Sequence, residues 1–190
     1  MSTSADDAAA GTGVRLVQVT VLDANYLEQV VLVATNGTTP VAMAGTWLRV
    51  NGLICLAAGS GGQNAGAIIV RVAGGGAVLA HAAIGVGRAQ QCIYTVPATE
   101  NAFAVFIAFG TQKPVGALAE FELQIRPFNG CWITGTSAGI NSNSSLVPFI
   151  PPIPNRVPAR TDIRGRVVSV STPNTTVTVN VQAVLCTIPP

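Results

Sequence analysis

The sequence predicts an all-β protein, an antiparallel β-sandwich of jelly-roll-like kind. Three observations carry that prediction: short runs in which apolar and polar residues alternate, turn dipeptides at short spacing, and an interior that must be built from Val, Ile, Leu and Ala. Of the 190 residues 49% are hydrophobic and only 5% aromatic, a strand-favouring palette poor in rings. No stretch carries the 3.6-residue apolar period of an amphipathic helix.

Met1–Gly13 is small and polar, with two acids at Asp6 and Asp7, and lacks the positive and apolar regions of a signal peptide. It reads as an N-terminal arm ahead of one sandwich domain over 14–190, a length within the range of a single β domain. Val14–Leu22 is β-branched and apolar on both faces, as a central strand should be. Glu28–Thr35, Thr39–Met43, Thr46–Ala57, Ala67–Ala73, Val78–Ala83, Ala89–Val96 and Ala102–Gly110 follow as further strands. Asn36-Gly37 predicts a hairpin between the first two of these, because a type I′ turn needs positive φ at both central residues. Asn51-Gly52 and Asn129-Gly130 predict turns or bulges.

The clearest alternation comes later in the chain. In 120–128, Phe121, Leu123 and Ile125 face one way and Glu120, Glu122, Gln124 and Arg126 the other. In 176–185, Val177, Val179, Val181, Ala183 and Leu185 form the apolar set. Cys131–Thr134 and Val167–Ser171 complete the strands. Between them, Val147–Pro158 holds five prolines in twelve positions, so it lacks the donors of a central strand and should run extended. Its Phe149, Ile150 and Ile153 make it apolar as well, and such a segment should pack across its own sheet or a neighbouring subunit.

Charge excludes some classes of function. The ten basic residues, nine of them Arg, balance eight acids with no Lys/Arg block, which argues against nucleic acid. Mean hydropathy is +0.50, yet Gly, Asn, Thr or Arg interrupts every apolar run short of the roughly 20 residues of a spanning helix, so no membrane is expected. High apolar content with 9% charge suits instead a subunit covered in part by its neighbours, a homo-oligomer included.

Motifs for chemistry are weak. Gly135-Thr136-Ser137-Ala138-Gly139 fits the nucleophile-elbow pattern, but no helix signal follows it, and the only histidine, His81, lies upstream. His81 sits among small apolar residues without metal-ligand companions. The Gly59–Gly66 loop lacks a phosphate-binding pattern, and Glu120 with Glu122 reads as a solvated strand face rather than a glycosidase pair. Cys55, Cys92, Cys131 and Cys186 form no CxxC pair; free buried thiols are expected over disulfides. No catalytic residue, cofactor, metal or small-molecule substrate is therefore expected. Arg160, Asp162, Arg164 and Arg166 share parity, and two readings stand: a solvated strand face with Asp162 paired internally, or an ion-pair ladder between subunits.

The stretches Ala10-Gly11-Thr12-Gly13-Val14-Arg15, Leu22-Asp23-Ala24-Asn25-Tyr26, Asn36-Gly37-Thr38-Thr39-Pro40, Trp47-Leu48-Arg49-Val50-Asn51, Ala58–Gly66, Ile93–Ala98, Arg126-Pro127-Phe128 and Thr161-Asp162-Ile163-Arg164 occur in order over most of the chain. With them the chain resembles a β-domain of virion proteins from short-tailed and marine or freshwater tailed phages. The resemblance implies a structural virion protein, assembled in the host bacterial cytoplasm. Its place would be that of a capsid decoration (cement) protein on the phage head or, alternatively, of a fibre or adaptor on the tail. Its partners would be the major capsid protein or tail proteins, and Phe149, Ile150, Ile153, Arg160, Arg164 and Arg166 are the interface candidates. A receptor- or carbohydrate-binding module ranks below both, since two Trp and two Tyr give few platforms for sugars.

Overall fold

The computed structural model describes residues 1–112, 118–141, 146–172 and 176–189. The protein is all-β, in antiparallel sheets, and among the described residues no helix is long and apolar enough to cross a membrane. Its contacts close into two compact units, Met1–Gln91 and Cys92–Pro190, each around its own core.

In the first unit a three-stranded sheet places β1 (Val14–Leu22) between β2 (Glu28–Ala34) and β3 (Arg49–Ala58). A two-stranded sheet pairs β4 (Ile68–Arg71) with β5 (Val78–Ala82). Val17, Val19 and Val21 of β1, Val50 and Leu53 of β3, Ile68 of β4 and Ala80 and Ala82 of β5 form one buried cluster. The β1–β2 hairpin turns at Asp23–Leu27, where the Asp23 carboxylate accepts the backbone N–H of Asn25 and Leu27 and Tyr26 takes a φ of 63°. Asn51 is an extra residue in β3, opposite the step from Thr20 to Val21, so Asn51-Gly52 is a bulge.

Two expectations fail here for one reason. Gly37 does adopt positive φ, at 57°, but no strand follows, and Thr39–Met43 is irregular. The hydrogen bonds of a partner strand are supplied by the N-terminal segment: Ser2 N–H donates to the Gly37 carbonyl and Gly37 N–H to that of Asp7. Met43 and Trp47 then pack onto the core from an irregular crossing. Met1–Gly13 has the irregular backbone of an arm, but it is seated in the fold, with Ser2 and Asp7 fully buried.

In the second unit two four-stranded sheets face each other. One has the order β6 (Ile93–Thr95), β12 (Asp162–Val170), β8 (Leu118–Arg126), β9 (Ile133–Asn141). The other centres on β7 (Glu100–Gln112), with β13 (Thr176–Thr187) along one edge and β10 (Leu146–Phe149) and β11 (Asn155–Val157) on the other. Phe121, Leu123 and Ile163 from the first sheet meet Ile107, Phe109 and Val157 from the second, and the rings of Phe109 and Phe121 lie 5.5 Å apart. Asn129, at a φ of 57°, and Gly130 turn the chain from β8 to β9.

Alternation holds as expected in β8, and in β13 as far as Val177, Val179 and Val181, which pack on this core. At a register break between Gln182 and Ala183, Val105 of β7 is left without a partner in β13, and beyond it β13 is exposed on both faces, with Val184 and Leu185 alike in water. Gly165 marks the closest approach of the sheets: a Cβ there would stand 3.1 Å from Cβ of Val179. Gly165→Val is accordingly expected to lower stability by about 1–3 kcal/mol through overpacking, read as a fall in thermal midpoint with unchanged far-UV circular dichroism.

Candidate interaction surfaces

The proline-rich segment is tied to its own sheet through the backbone, with Val147, Pro151 and Val157 turned inward and Phe149, Ile150 and Ile153 turned outward. Val147, Pro148 and Phe149 pair with Phe109, Ala108 and Ile107, and Asn155, Arg156 and Val157 pair with Ala104, Phe103 and Ala102. Proline is tolerated because β10 is an edge strand. Between these anchors, five residues, 150–154, span a gap opposite only Val105 and Phe106 of β7, so the chain must hook outward. Phe149, Ile150 and Ile153 are 41%, 70% and 76% exposed on this hook, while Val157 turns back into the core.

The expected parity holds for Asp162, Arg164 and Arg166, which lie in β12, but not for Arg160, which precedes the strand in a turn at positive φ. Thr161 and Ile163 point inward and are buried, and Asp162, Arg164 and Arg166 lie on the other face of β12. Asp162 is buried and paired within the unit: it accepts the Thr95 hydroxyl and two N–H groups of Arg126 on β8, the Nε contact at 2.8 Å. Arg164 donates to Gln124 at 2.9 Å, and Gln124 donates to Glu122 at 2.7 Å. The guanidinium groups of Arg164 and Arg126 lie 3.9 and 4.9 Å from the centroid of Trp132, so one indole is overlain by two cations. Arg160 takes a φ of 58° and stands 5.4 Å from the Phe128 ring. Arg166 is exposed opposite Glu122 across the strand pair.

A third cluster had no sequence signal. One oxygen of Asp7 accepts N–H from Val14 (2.7 Å) and Ala65 (2.9 Å); the other accepts Gly66 N–H (2.8 Å) and the Ser2 hydroxyl (2.5 Å). Burial pushes the Asp7 carboxyl up, but these four donors outweigh it and hold its pKa below the ordinary 3.8. Asn64, also fully buried, donates to the carbonyls of Gly66 and Ala83 and accepts Gly87 N–H. The Gly59–Gly66 loop is thus bound at its end to the N-terminal segment. Gly66 must be glycine, since a Cβ would fall 2.4 Å from the Ser4 nitrogen.

The remaining chemical motifs are dispersed. Gly135–Gly139 lies inside β9, with Ser137 paired to Glu122, and not on a strand–turn–helix. His81 is an exposed residue of β5 paired with Ile69. Among the described residues no three of His, Cys, Asp and Glu gather as a metal site would need. All four cysteines are free thiols, but three were misplaced by the burial expectation: Cys92, Cys131 and Cys186 are exposed and Cys55 half-buried. Cys92 and Cys131 fall in connections outside the strands, and Cys186 follows the β13 register break. Burial, with the nearby Asp7 charge, raises the Cys55 thiol above its ordinary pKa. Comparisons with protein-family models, with curated proteins and with solved structures give no match to this chain.

Proposed function

We propose that the protein is a structural, non-enzymatic subunit of a tailed-phage particle, placed as a decoration protein that binds and stabilises the head. The hook between β10 and β11 carries the reading. Ile150 and Ile153 stand in water on a segment whose two ends are fixed to β7, so little conformational entropy remains to be lost when a partner covers them. The phage assignment itself rests on the resemblance in the sequence. Copy number separates the head from the tail: a cement protein is present in many copies per particle, a tail adaptor in few.

The test is the double change Phe149→Ser with Ile153→Ser, scored for thermal unfolding of the isolated protein and for occupancy on particles. Burying a large apolar side chain is worth about 1.5–3 kcal/mol, so two of them should lower affinity by roughly 100-fold or more. The fold, which leaves both side chains exposed, should melt within a few degrees of the parent. Occupancy unchanged by the double change would sink the proposal.

A further inference from the structure

The outer edge of β2 is open, flat and apolar. Antiparallel partners alternate between hydrogen-bonded and non-hydrogen-bonded pairs, and two bonds that bracket the β1–β2 ladder fix the phase. Asp23 N–H donates to Leu27 O at 3.1 Å and Thr35 N–H to Arg15 O at 3.0 Å. With Val17 opposite Val33, Val19 opposite Val31 and Val21 opposite Gln29, the odd-numbered residues of β2 bond to β1. The N–H and C=O groups of Val30, Leu32 and Ala34 therefore point away from the sheet. Among the described residues no group of the chain meets them.

The usual guards of such an edge are absent. β2 contains no Lys, Arg or Pro, and its register with β1 runs without a bulge. Val30 and Leu32 are 57% and 58% exposed, and Leu32 continues across Gln18 to the exposed Ile54 of β3. Two other edges carry such guards: β13 has its register break at Gln182/Ala183 and exposed Thr178, Asn180 and Gln182, and the edge formed by β10 and β11 carries Pro148 and is interrupted by the hook.

We propose that β2 pairs antiparallel with β2 of a second copy of this chain, joining two three-stranded sheets into one. The strand is complementary to itself in that direction. With Val31 on the two-fold axis, Val30 faces Leu32 and Glu28 faces Ala34, so the single acid never meets its twin. Parallel pairing would set Glu28 beside Glu28 and is disfavoured. This proposal concerns residues 28–34 and is independent of the hook in 146–157, so either can fail alone.

Sedimentation equilibrium of the full chain over a concentration series, with amide exchange read at Val30 and Leu32, decides the matter. A concentration-dependent dimer with slowed exchange at both amides is expected. Leu32→Pro removes an outward N–H and leaves the β1 ladder whole; it should abolish the dimer with little change in melting temperature. Should Leu32→Pro unfold the protein, Val30→Lys with Leu32→Lys replaces it, setting lysine against lysine across the axis, and is likewise expected to be monomeric. A parent chain that stays monomeric throughout, or a dimer that survives in the folded variant, overturns the proposal.

Discussion

Asp7→Ala is expected to destabilise the 1–91 unit by about 4 kcal/mol, because each buried donor left without an acceptor costs about 1–3 kcal/mol and three backbone N–H groups, of Val14, Ala65 and Gly66, lose theirs together. Against a domain stability of about 5–15 kcal/mol, that leaves the unit marginal. Asp7→Asn keeps the volume but turns an amide N–H toward donors, so it should fall between alanine and the parent. The same carboxylate gives an acid dependence whose sign is fixed by the lowered pKa. The folded state binds the Asp7 proton less readily than the unfolded chain, so the stabilisation is complete above the unfolded value of about 3.9. It is lost as pH falls through the lower folded value. Thermal melts between neutral and strongly acid pH check this, and the contribution should be missing in Asp7→Ala. An Asp7→Ala protein that melts with the parent would show that the cluster is held by other contacts.

Phe121→Ala should cost the 92–190 unit about 3–5 kcal/mol, the range for removing a buried ring without full collapse of the cavity. Phe121 is completely buried, and its ring meets Phe109 of the opposite sheet, so the space opened lies between two sheets that backbone pairing holds in place. Denaturant unfolding of the variant against the parent measures the loss. Phe149, on the hook, provides the contrast: its truncation should move the midpoint only slightly. Equal losses at the two phenylalanines would mean that the hook is part of the core.

These cases also show which parts of the fold were legible in the sequence. Phe121, Leu123, Ile125, Val177, Val179 and Val181 were placed correctly because a strand with one dry face alternates strictly, and the periodicity survives whatever the strand pairs with. Leu185 was misplaced because β13 runs beyond the core after the register break, where Val184 and Leu185 are both exposed, and no composition rule marks where a strand's dry face ends. Asn36-Gly37 was right at Gly37, whose φ is positive, but wrong at Asn36, whose φ is not, and wrong in partner. Positive φ is a local property, whereas the strand that would complete a hairpin was replaced by residues thirty or more positions earlier in the chain. Asp7 and Asn64 were invisible for a related reason. Each is a short polar residue in a Gly- and Ala-rich stretch, and only the folded chain brings the donors of residues 2, 14, 65 and 66 around one carboxylate. Among the interface candidates, parity predicted which face Arg164 and Arg166 occupy, but the overlay of Trp132 by Arg126 and Arg164 required knowing that β8 lies between β9 and β12.

The chain has two tryptophans, and the fold assigns one to each unit. Both are partly buried: Trp47 packs against the core of the first, its indole N–H without an acceptor among the described residues, and Trp132 lies beneath two guanidinium groups in the second. The intrinsic fluorescence of the protein therefore has one reporter in residues 1–91 and one in 92–190. With either tryptophan replaced by phenylalanine, the melting of one half becomes visible without interference from the other.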